Sequence, residues 1–288
     1  MAPATPKRKR TRRDEWWRRL TASFRVLPDT VIIGGQKCGS TSLFHHLVQH
    51  PAVLGPVTGQ KEVHFFDRPW LSTTWYRQRF PSRSRVQALA RETGTTPRIL
   101  EATPYYLAHP TAAARMRRTL PDARPIAILR DPVERAFSQY KASRRGGYEP
   151  MATFEEALDA EHDRVAAAER MLMEDETARS KEHQQFSYML RGDYATQLER
   201  WFSAFGREGV LVLFLAELRS SPEQLSRQLE SFLDLPHHEA TAFPRERSAP
   251  SKQDALAMSE GTRARLREHF APHNARLSEL LGRSLPWD

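Results

Sequence analysis

Cysteine is nearly absent from this sequence of 288 residues, in which Cys38 is the single example. One cysteine cannot form a disulfide within the chain, and this excludes the class of small secreted domains stapled by disulfides. Long apolar runs are also missing, since segments such as 210–216 fall far short of the roughly 18 residues that span a bilayer. The N-terminal residues lack the apolar stretch of a signal peptide. We therefore expect a soluble protein of the cytoplasm.

Acidic residues are scarce at the N-terminus. Eight Lys and Arg residues lie in the first nineteen positions against two acids, so +6 of the formal net charge of +9 belongs there. A polar, cationic segment of this kind should be disordered or only partly helical around Trp16 and Trp17. The sequence thus predicts a basic arm over residues 1–27 and one domain over residues 28–288. Contact with a polyanion and added solubility are equally good roles for the arm.

Short apolar runs alternate with helical patterns along the rest of the chain. The predicted strands lie at residues 30–34, 98–101, 125–129 and 210–215. The predicted helices lie at residues 41–50, 111–119, 132–144, 194–205 and 222–233. This alternation predicts an α/β fold, a single domain with a central parallel sheet flanked by helices. Residues 150–190 are charge-rich, helical in pattern and without a strand signal, which indicates a lid or wall over the ligand-binding edge of the sheet.

The loop after the first predicted strand has the composition of an anion cradle. Residues 34–42 read Gly-Gly-Gln-Lys-Cys-Gly-Ser-Thr-Ser. Glycine-loop amides and a helix N-terminus attract anions, and Lys37 with the hydroxyls at residues 40–42 adds side-chain donors. In the triphosphate loop of kinases and ATPases the lysine follows the last glycine, whereas Lys37 precedes Gly39. A glycine turn with a hydroxyl helix cap is the alternative interpretation.

A second candidate anion site follows the third predicted strand. Arg130 ends the strand, Pro132 suits the first turn of a helix, and Ser138 follows about two turns later. An arginine fork and a hydroxyl that face the glycine loop suit a terminal phosphate. The alternative is that Arg130 pairs with Asp131 or another carboxylate.

The third motif, Lys-Glu-Val-His-Phe-Phe-Asp over residues 61–67, offers a general base. Glu62 and His64 are both able to accept the proton of an attacking hydroxyl. If the segment is extended, Glu62, His64 and Phe66 share one face. The alternative is that Glu62 is a surface partner of Lys61 and that the aromatic pair belongs to the core.

The three motifs resemble those of sulfotransferases that use 3′-phosphoadenosine 5′-phosphosulfate (PAPS), in particular the branch of the heparan sulfate sulfotransferases and their bacterial relatives, and the two anion motifs follow each other in the same order. The resemblance covers about residues 28–288. It implies transfer of the sulfuryl group of PAPS to a hydroxyl of a small molecule or a saccharide, which leaves adenosine 3′,5′-bisphosphate (PAP). The implied catalytic residues are Glu62 as the base, Lys37 and His64. The implied cofactor-binding residues are Lys37, Cys38, Gly39, Ser40, Thr41, Ser42, Arg130 and Ser138.

The acceptor side is defined less sharply. The candidates for acceptor contact are Lys61, Asp67, Trp70 and Tyr105, and Trp75 and Tyr76 could also stack on a ring. The animal heparan enzymes carry a lysine where this chain has Ala102, and this argues against a heparan-like acceptor. Lys252 is a further cofactor candidate, although residues 247–252 do not match the second phosphate loop of those enzymes.

Two rival functions stay open at this point. One is a nucleotide-dependent kinase on a related fold, and the other is a polyanion-binding protein that uses the basic arm. The 11 histidines show no zinc-ligand spacing, so no metal is predicted. We expect no specific nucleic-acid partner. The abundance of Arg and Ala is compatible with a bacterial protein, and the oligomeric state is not determined by the sequence.

Overall fold

The structure is a computed structural model that describes residues 12–239, 243, 253 and 256–287. Its strands are β1 (Thr30–Gly34), β2 (Val53–Leu54), β3 (Arg98–Ala102), β4 (Arg124–Leu129) and β5 (Leu211–Phe214). All pairings are parallel, and the strand order is β2-β3-β1-β4-β5. The predicted α/β fold with a central parallel sheet is therefore confirmed.

Helices cover both faces of the sheet. They are α1 (Arg12–Leu20), α2 (Ser40–Leu47), α3 (Thr73–Arg77), α4 (Arg83–Thr93), α5 (Ala112–Thr119), α6 (Pro132–Arg145), α7 (Phe154–Asp159), α8 (Glu161–Glu174), α9 (Lys181–Phe186), α10 (Tyr194–Phe205), α11 (Glu217–Ser220), α12 (Pro222–Leu233) and α13 (Glu260–Leu281). Short 3-10 turns occupy Ala22–Phe24 and Leu190–Gly192. The predicted helices at residues 194–205 and 222–233 have the bounds of α10 and α12.

The strands are apolar on both sides because each side meets a layer of helices. In β1, Val31 and Ile33 belong to the core under α5, α10 and α13, whereas Ile32 belongs to the core under α2 and α12. The same alternation separates Ile126 from Ala127 in β4. Burial on both faces explains why these strands are continuous apolar runs.

Five elements escaped sequence analysis: β2, α3, α4, α11 and α13. Strand β2 has two residues, too few for a periodic signal, and it pairs only with β3 at the sheet edge. Helix α13 contains Pro272, a residue that normally ends a helical pattern. The helix is nevertheless anchored by Leu266, Phe270 and Leu277, which are all buried.

The segment before β1 contacts the folded body. Arg25 forms an isolated antiparallel bridge with Ser82, and the N–H of Val26 donates to the carbonyl of Pro81 at 3.1 Å. Trp16 and Trp17 lie within α1, in agreement with the partial helix expected there. Among the described residues no helix combines the length and apolarity needed to cross a bilayer.

Candidate active site

The glycine loop and the Arg130 motif follow adjacent parallel strands. Strand β1 pairs with β3 on one side and with β4 on the other. After β1 the chain continues to β2 at one edge of the sheet, and after β4 it continues to β5 at the opposite edge. Loops at such a switch point flank the crevice in which α/β proteins bind ligands. We call residues 34–42 the phosphate loop. Its first contact is the N–H of Gly35, which donates to the Ile128 carbonyl of β4 at 2.7 Å.

Gly39 is required by the shape of the phosphate loop. Its φ of 96° lies in the left-handed region, and a Cβ built there would approach Cδ1 of Leu215 to 2.6 Å. Gly39 caps α2, so the amides of residues 40–42 form the first turn of that helix. First-turn amides have no intrahelical acceptor, and they carry the positive end of the helix dipole. These donors and this dipole make the loop suitable for binding an anion.

Arg130 reaches the phosphate loop. Its Nη1 lies 3.5 Å from the carbonyl oxygen of Lys37, and its Nη2 lies 3.5 Å from Oε2 of Glu134. The hydroxyl of Tyr194 donates to the carbonyl of Arg130 at 2.8 Å and contacts Sγ of Cys38 at 3.7 Å. Arg130 and Tyr194 therefore connect the two predicted anion sites.

Three cations meet near the start of α2. Burial lowers the pKa of Lys37, and the nearby positive charges of Arg145 and Arg130 lower it further, while Glu62 opposes the shift. Clustered cations of this kind repel one another until an anion neutralises them. Ser138, seven residues before Arg145 on α6, is half-buried. Two helical turns separate them, so both lie on the same face of α6. The same spacing could have identified Arg145 from the sequence.

Cys38 contributes differently from its neighbours. Its side chain is fully buried, and burial raises the pKa of the thiol. Its N–H donates to the carbonyl of Gly35 at 3.3 Å, which closes the turn. Ser40 is buried, whereas Thr41 and Ser42 are half-buried.

The motif at residues 61–67, here the base segment, touches the phosphate loop directly. Nζ of Lys61 donates to Oγ1 of Thr41 at 2.5 Å. Glu62 raises the pKa of Lys37, and Lys37 lowers the pKa of the Glu62 carboxyl. The candidate base and the loop lysine therefore belong to one electrostatic site.

The end of β3 holds the backbone of the base segment. Its N–H groups donate to residues at this end: that of Glu62 to the Ala102 carbonyl at 2.7 Å, that of His64 to Oγ1 of Thr103 at 3.3 Å, and those of Phe65 and Phe66 to the Tyr106 hydroxyl at 2.7 and 3.4 Å. Glu62 and His64 both have positive φ, 59° and 55°. Such backbone needs outside support in residues other than glycine.

Glu101 orients two of these acceptors. Its fully buried carboxylate accepts hydrogen bonds from the hydroxyls of Thr103 at 2.7 Å, Tyr106 at 2.9 Å, and Tyr76. Burial raises the pKa of Glu101, although these three donors oppose the rise. Thr103 and Tyr106 also accept hydrogen bonds from N–H groups of the base segment. Glu101 therefore supports that segment indirectly, through these two residues.

Glu62, His64 and Asp67 form a chain of alternating charge. Nδ1 of His64 lies 2.8 Å from Oδ2 of Asp67, and its Nε2 lies 3.8 Å from Oε2 of Glu62. Burial opposes charge on His64, but Asp67 and Glu62 outweigh it and raise the pKa of His64 to about 9. The contact with His64 lowers the pKa of Glu62, so this carboxylate is ionised near neutral pH. It is half-exposed, at 52%.

A cavity of about 450 Å³ opens beside Glu62, and we call it the acceptor cavity. Its lining residues are Thr58, Gln60, Lys61, Glu62, Val63, His64, Arg68, Trp75 and Arg79. Arg79 lies over the ring of Trp75, with Cζ 4.2 Å from the ring centroid. Arg68 and Arg79 carry no chemical motif, and sequence analysis missed them.

The other acceptor candidates lie outside that lining. Trp70 is exposed, and the guanidinium of Arg179 lies 5.3 Å from its ring centroid. Asp67 is buried behind His64. Tyr105 is also buried, and its hydroxyl lies 2.7 Å from Nδ1 of His183. Tyr76 belongs to the core, where its hydroxyl donates a hydrogen bond to Glu101.

Residues 150–190 form α7, α8 and α9, as their pattern predicted. Arg191, just beyond them, is buried and donates to the side chain of Gln36 in the phosphate loop and to the carbonyls of His183 and Gln184. Its guanidinium also lies 4.8 Å from the ring centroid of Tyr105. The helical segment is therefore tied to the rim of the site.

One expectation about the base segment is wrong. The segment is not extended, because Glu62 and His64 adopt left-handed backbone. Phe66 consequently joins Phe65 in the core rather than sharing a face with Glu62. Lys252 lies outside the described residues. Within those residues no group of three or more His, Cys, Asp or Glu side chains could hold a metal ion.

Comparison with known proteins identifies the family. The family model for the sulfotransferase domain matches residues 27–272. The chain belongs to the sulfotransferase domain family. Among solved structures, a sulfotransferase from Alicyclobacillus acidocaldarius superposes with a TM-score of 0.66 at 30% identity, and the match covers 90% of this chain and 98% of that one.

Curated relatives of this sulfotransferase-family chain are larger. The human bifunctional heparan sulfate N-deacetylase/N-sulfotransferase 3 is 30% identical over 95% of this chain. The mouse bifunctional heparan sulfate N-deacetylase/N-sulfotransferase 1 is 28% identical over the same share. In both cases the match covers 32% of the relative, so the chain spans about a third of these proteins.

Proposed function

We propose that this sulfotransferase-family chain transfers the sulfuryl group of PAPS to a hydroxyl group, with Glu62 as the general base. The observation that carries the proposal is the hydrogen bond from Nζ of Lys61 to Oγ1 of Thr41 at 2.5 Å, because it joins the segment that carries the carboxylate Glu62 to an anion-binding loop. Residues 28–288 would form the catalytic domain, with residues 150–190 as the wall of the acceptor side. The bacterial cytoplasm is the expected setting.

The two anion sites fit a donor with a phosphate at each end. The first-turn amides of α2 and Lys37 would hold the 5′-phosphosulfate, while Arg130 and Ser138 would hold the 3′-phosphate. The fit rests on the Gly39 cradle, where Leu215 leaves no room for a Cβ, and on the cations around Lys37. When bound, PAPS supplies an activated sulfuryl group on a phosphate leaving group.

The side chains can carry out an in-line displacement. Glu62 is ionised and half-exposed in the acceptor cavity. It would therefore accept the proton of an acceptor hydroxyl while the oxygen of that hydroxyl forms the new bond to sulfur. Lys37 and the loop amides can stabilise the charge that develops on the 5′-phosphate oxygen as its bond to sulfur breaks. His64, held by Asp67, keeps the Glu62 carboxylate in place.

The acceptor cavity favours a small molecule or saccharide with a ring and negative charge. Trp75 offers an aromatic face, and Lys61, Arg68 and Arg79 supply positive charge. The heparan sulfate relatives support a saccharide. Ala102 is fully buried at the end of β3, so it offers no acceptor contact of the kind that lysine provides in the animal enzymes.

Calorimetric titration tests the donor assignment. We expect PAP to bind at least about tenfold more tightly than AMP or ATP, because only PAP engages both anion sites. Equal affinities for the three nucleotides would contradict the proposal. Tighter binding of ATP would favour the kinase alternative. If no nucleotide binds, the polyanion-binding alternative gains support.

A further inference from the structure

Large apolar side chains are exposed together on α1 and the turn after it. Trp16, Trp17, Leu20 and Phe24 are 61%, 60%, 54% and 67% exposed. At 3.6 residues per turn, the first three fall within an arc of about 100°, and Phe24 lies about one turn beyond Leu20. We call these four residues the apolar stripe. Isolated exposed apolar residues are ordinary, whereas a contiguous patch of this kind marks an interaction surface.

The stripe is held in a defined orientation. Ala22, in the turn between Leu20 and Phe24, is 2% exposed, so the opposite side of the segment packs on the domain. Nη1 of Arg25 donates to the carbonyl of Phe80 at 2.8 Å, and Nη1 of Arg77 donates to the carbonyl of Arg25 at 3.1 Å. These contacts fix the segment on the domain, while the four side chains of the stripe stay more than half exposed.

The sequence that carries the stripe is positively charged. Residues 1–19 carry eight Lys and Arg against Asp14 and Glu15, and this segment holds +6 of the formal net charge of +9. A face of Trp, Leu and Phe beside Lys and Arg is typical of helices that lie in the interface of an anionic membrane. Tryptophan is enriched at that interface. A nucleic acid would satisfy the charge but offers little contact to Leu20 and Phe24.

The stripe adjoins the acceptor cavity. Trp16, Arg18 and Arg19 line a second cavity of about 660 Å³, and Trp75 and Arg79 belong to the same lining. Both of the latter also line the acceptor cavity. A surface that covers the stripe therefore lies next to the wall shared by the two cavities.

We propose that the apolar stripe and the basic arm dock this protein on an anionic lipid surface. The Trp, Leu and Phe side chains insert among the headgroups, and the Lys and Arg side chains pair with lipid phosphates. Docking brings the shared wall of Trp75 and Arg79 close to the headgroups. The proposal does not depend on the proposed function, because lipid binding needs neither a donor nor an acceptor.

Vesicle co-sedimentation tests the docking. The full chain is mixed with vesicles of phosphatidylglycerol and phosphatidylcholine, or of phosphatidylcholine alone. We expect partitioning at least about tenfold stronger on the anionic vesicles. W16S/W17S and Phe24→Ser should each weaken it roughly tenfold, because each removes apolar area from the interface. Tyr148→Ser is the matched control, because Tyr148 is 58% exposed and lies outside the stripe. This variant should bind the vesicles as the wild type does.

The alternatives have distinct outcomes. Thermal unfolding first establishes that the variants are folded. Wild-type binding by W16S/W17S would show that the arm acts by charge alone, and it would overturn the proposal. So would failure of the wild type to bind anionic vesicles. Self-association that is lost in Phe24→Ser would make the stripe an interface between copies of this chain. Stripe-dependent binding of duplex DNA would make the partner a nucleic acid.

Discussion

Nδ1 of His64 lies 2.8 Å from Oδ2 of Asp67, while Nε2 of the same ring faces Glu62 at 3.8 Å. An imidazolium between two carboxylates keeps its proton, and it holds Glu62 in the ionised form that a general base requires. With Glu62 as the base that we propose, Asp67 is a positioning residue that acts through His64. This role explains why a buried carboxylate belongs to the site although it lies outside the acceptor cavity.

The His64 contact predicts a dependence of stability on pH. The pKa of His64 in the folded protein is raised from 6.5 to about 9, so its contribution is complete below pH 6.5 and is lost as pH rises through about 9. That contribution is up to about 3 kcal/mol. We expect Asp67→Asn to reduce most of it, and urea unfolding at a series of pH values measures the loss. An identical pH dependence in Asp67→Asn and wild type would contradict the assignment.

Arg130→Ala should weaken PAP binding selectively. The substitution removes a cation proposed to meet the 3′-phosphate, and a hydrogen bond to a charged group contributes about 1.5–3 kcal/mol. We expect roughly a 10- to 100-fold loss for PAP and little change for AMP, which lacks that phosphate. Calorimetric titration with both nucleotides measures the difference. Equal losses for PAP and AMP would show that Arg130 acts on the whole loop.

Tyr194→Phe tests the connection between the two anion sites. The Tyr194 hydroxyl donates to the Arg130 carbonyl and contacts Cys38, so its removal takes away one of the links between the two elements. We expect a free energy of unfolding lower by about 1 kcal/mol and PAP affinity lower by severalfold. Tyr148→Phe, at an exposed tyrosine, is the control. Unchanged PAP affinity in a destabilised Tyr194→Phe would limit this residue to packing.

Glu101→Gln should disturb the base segment without affecting the proposed PAPS site. An amide can accept fewer hydrogen bonds than the carboxylate, so one buried hydroxyl among Thr103, Tyr106 and Tyr76 loses its acceptor. We expect a loss of about 1–3 kcal/mol in stability and a lower kcat. PAP affinity should stay within about twofold. Wild-type stability together with wild-type kcat would show that Glu101 does not support the segment.

Most of the sheet was predictable because its strands are buried on both faces and stand out as apolar runs. The phosphate loop was predictable for a related reason, since glycine, lysine and hydroxyls are confined to nine consecutive residues, 34–42. The two-residue β2 and the proline-containing α13 were not, because tertiary contacts rather than local pattern hold them in place.

The base segment shows where sequence reasoning stops. Its residue types indicated a base, but alternation could not anticipate left-handed backbone at Glu62 and His64, which depends on acceptors about 40 residues away in Ala102, Thr103 and Tyr106. Arg68 and Arg79 line the acceptor cavity because of the three-dimensional fold and not because of a motif in the sequence. Such contacts carry no local signal.

The most direct test of the proposed chemistry compares Glu62→Gln with the wild type. An acceptor is first found by screening saccharides and hydroxylated small molecules for transfer of radiolabelled sulfate from PAPS. At saturating PAPS we expect Glu62→Gln to lose roughly 100- to 10,000-fold in kcat, the range of general-base catalysis, while PAP affinity stays within about twofold. Near wild-type turnover by Glu62→Gln would contradict the account.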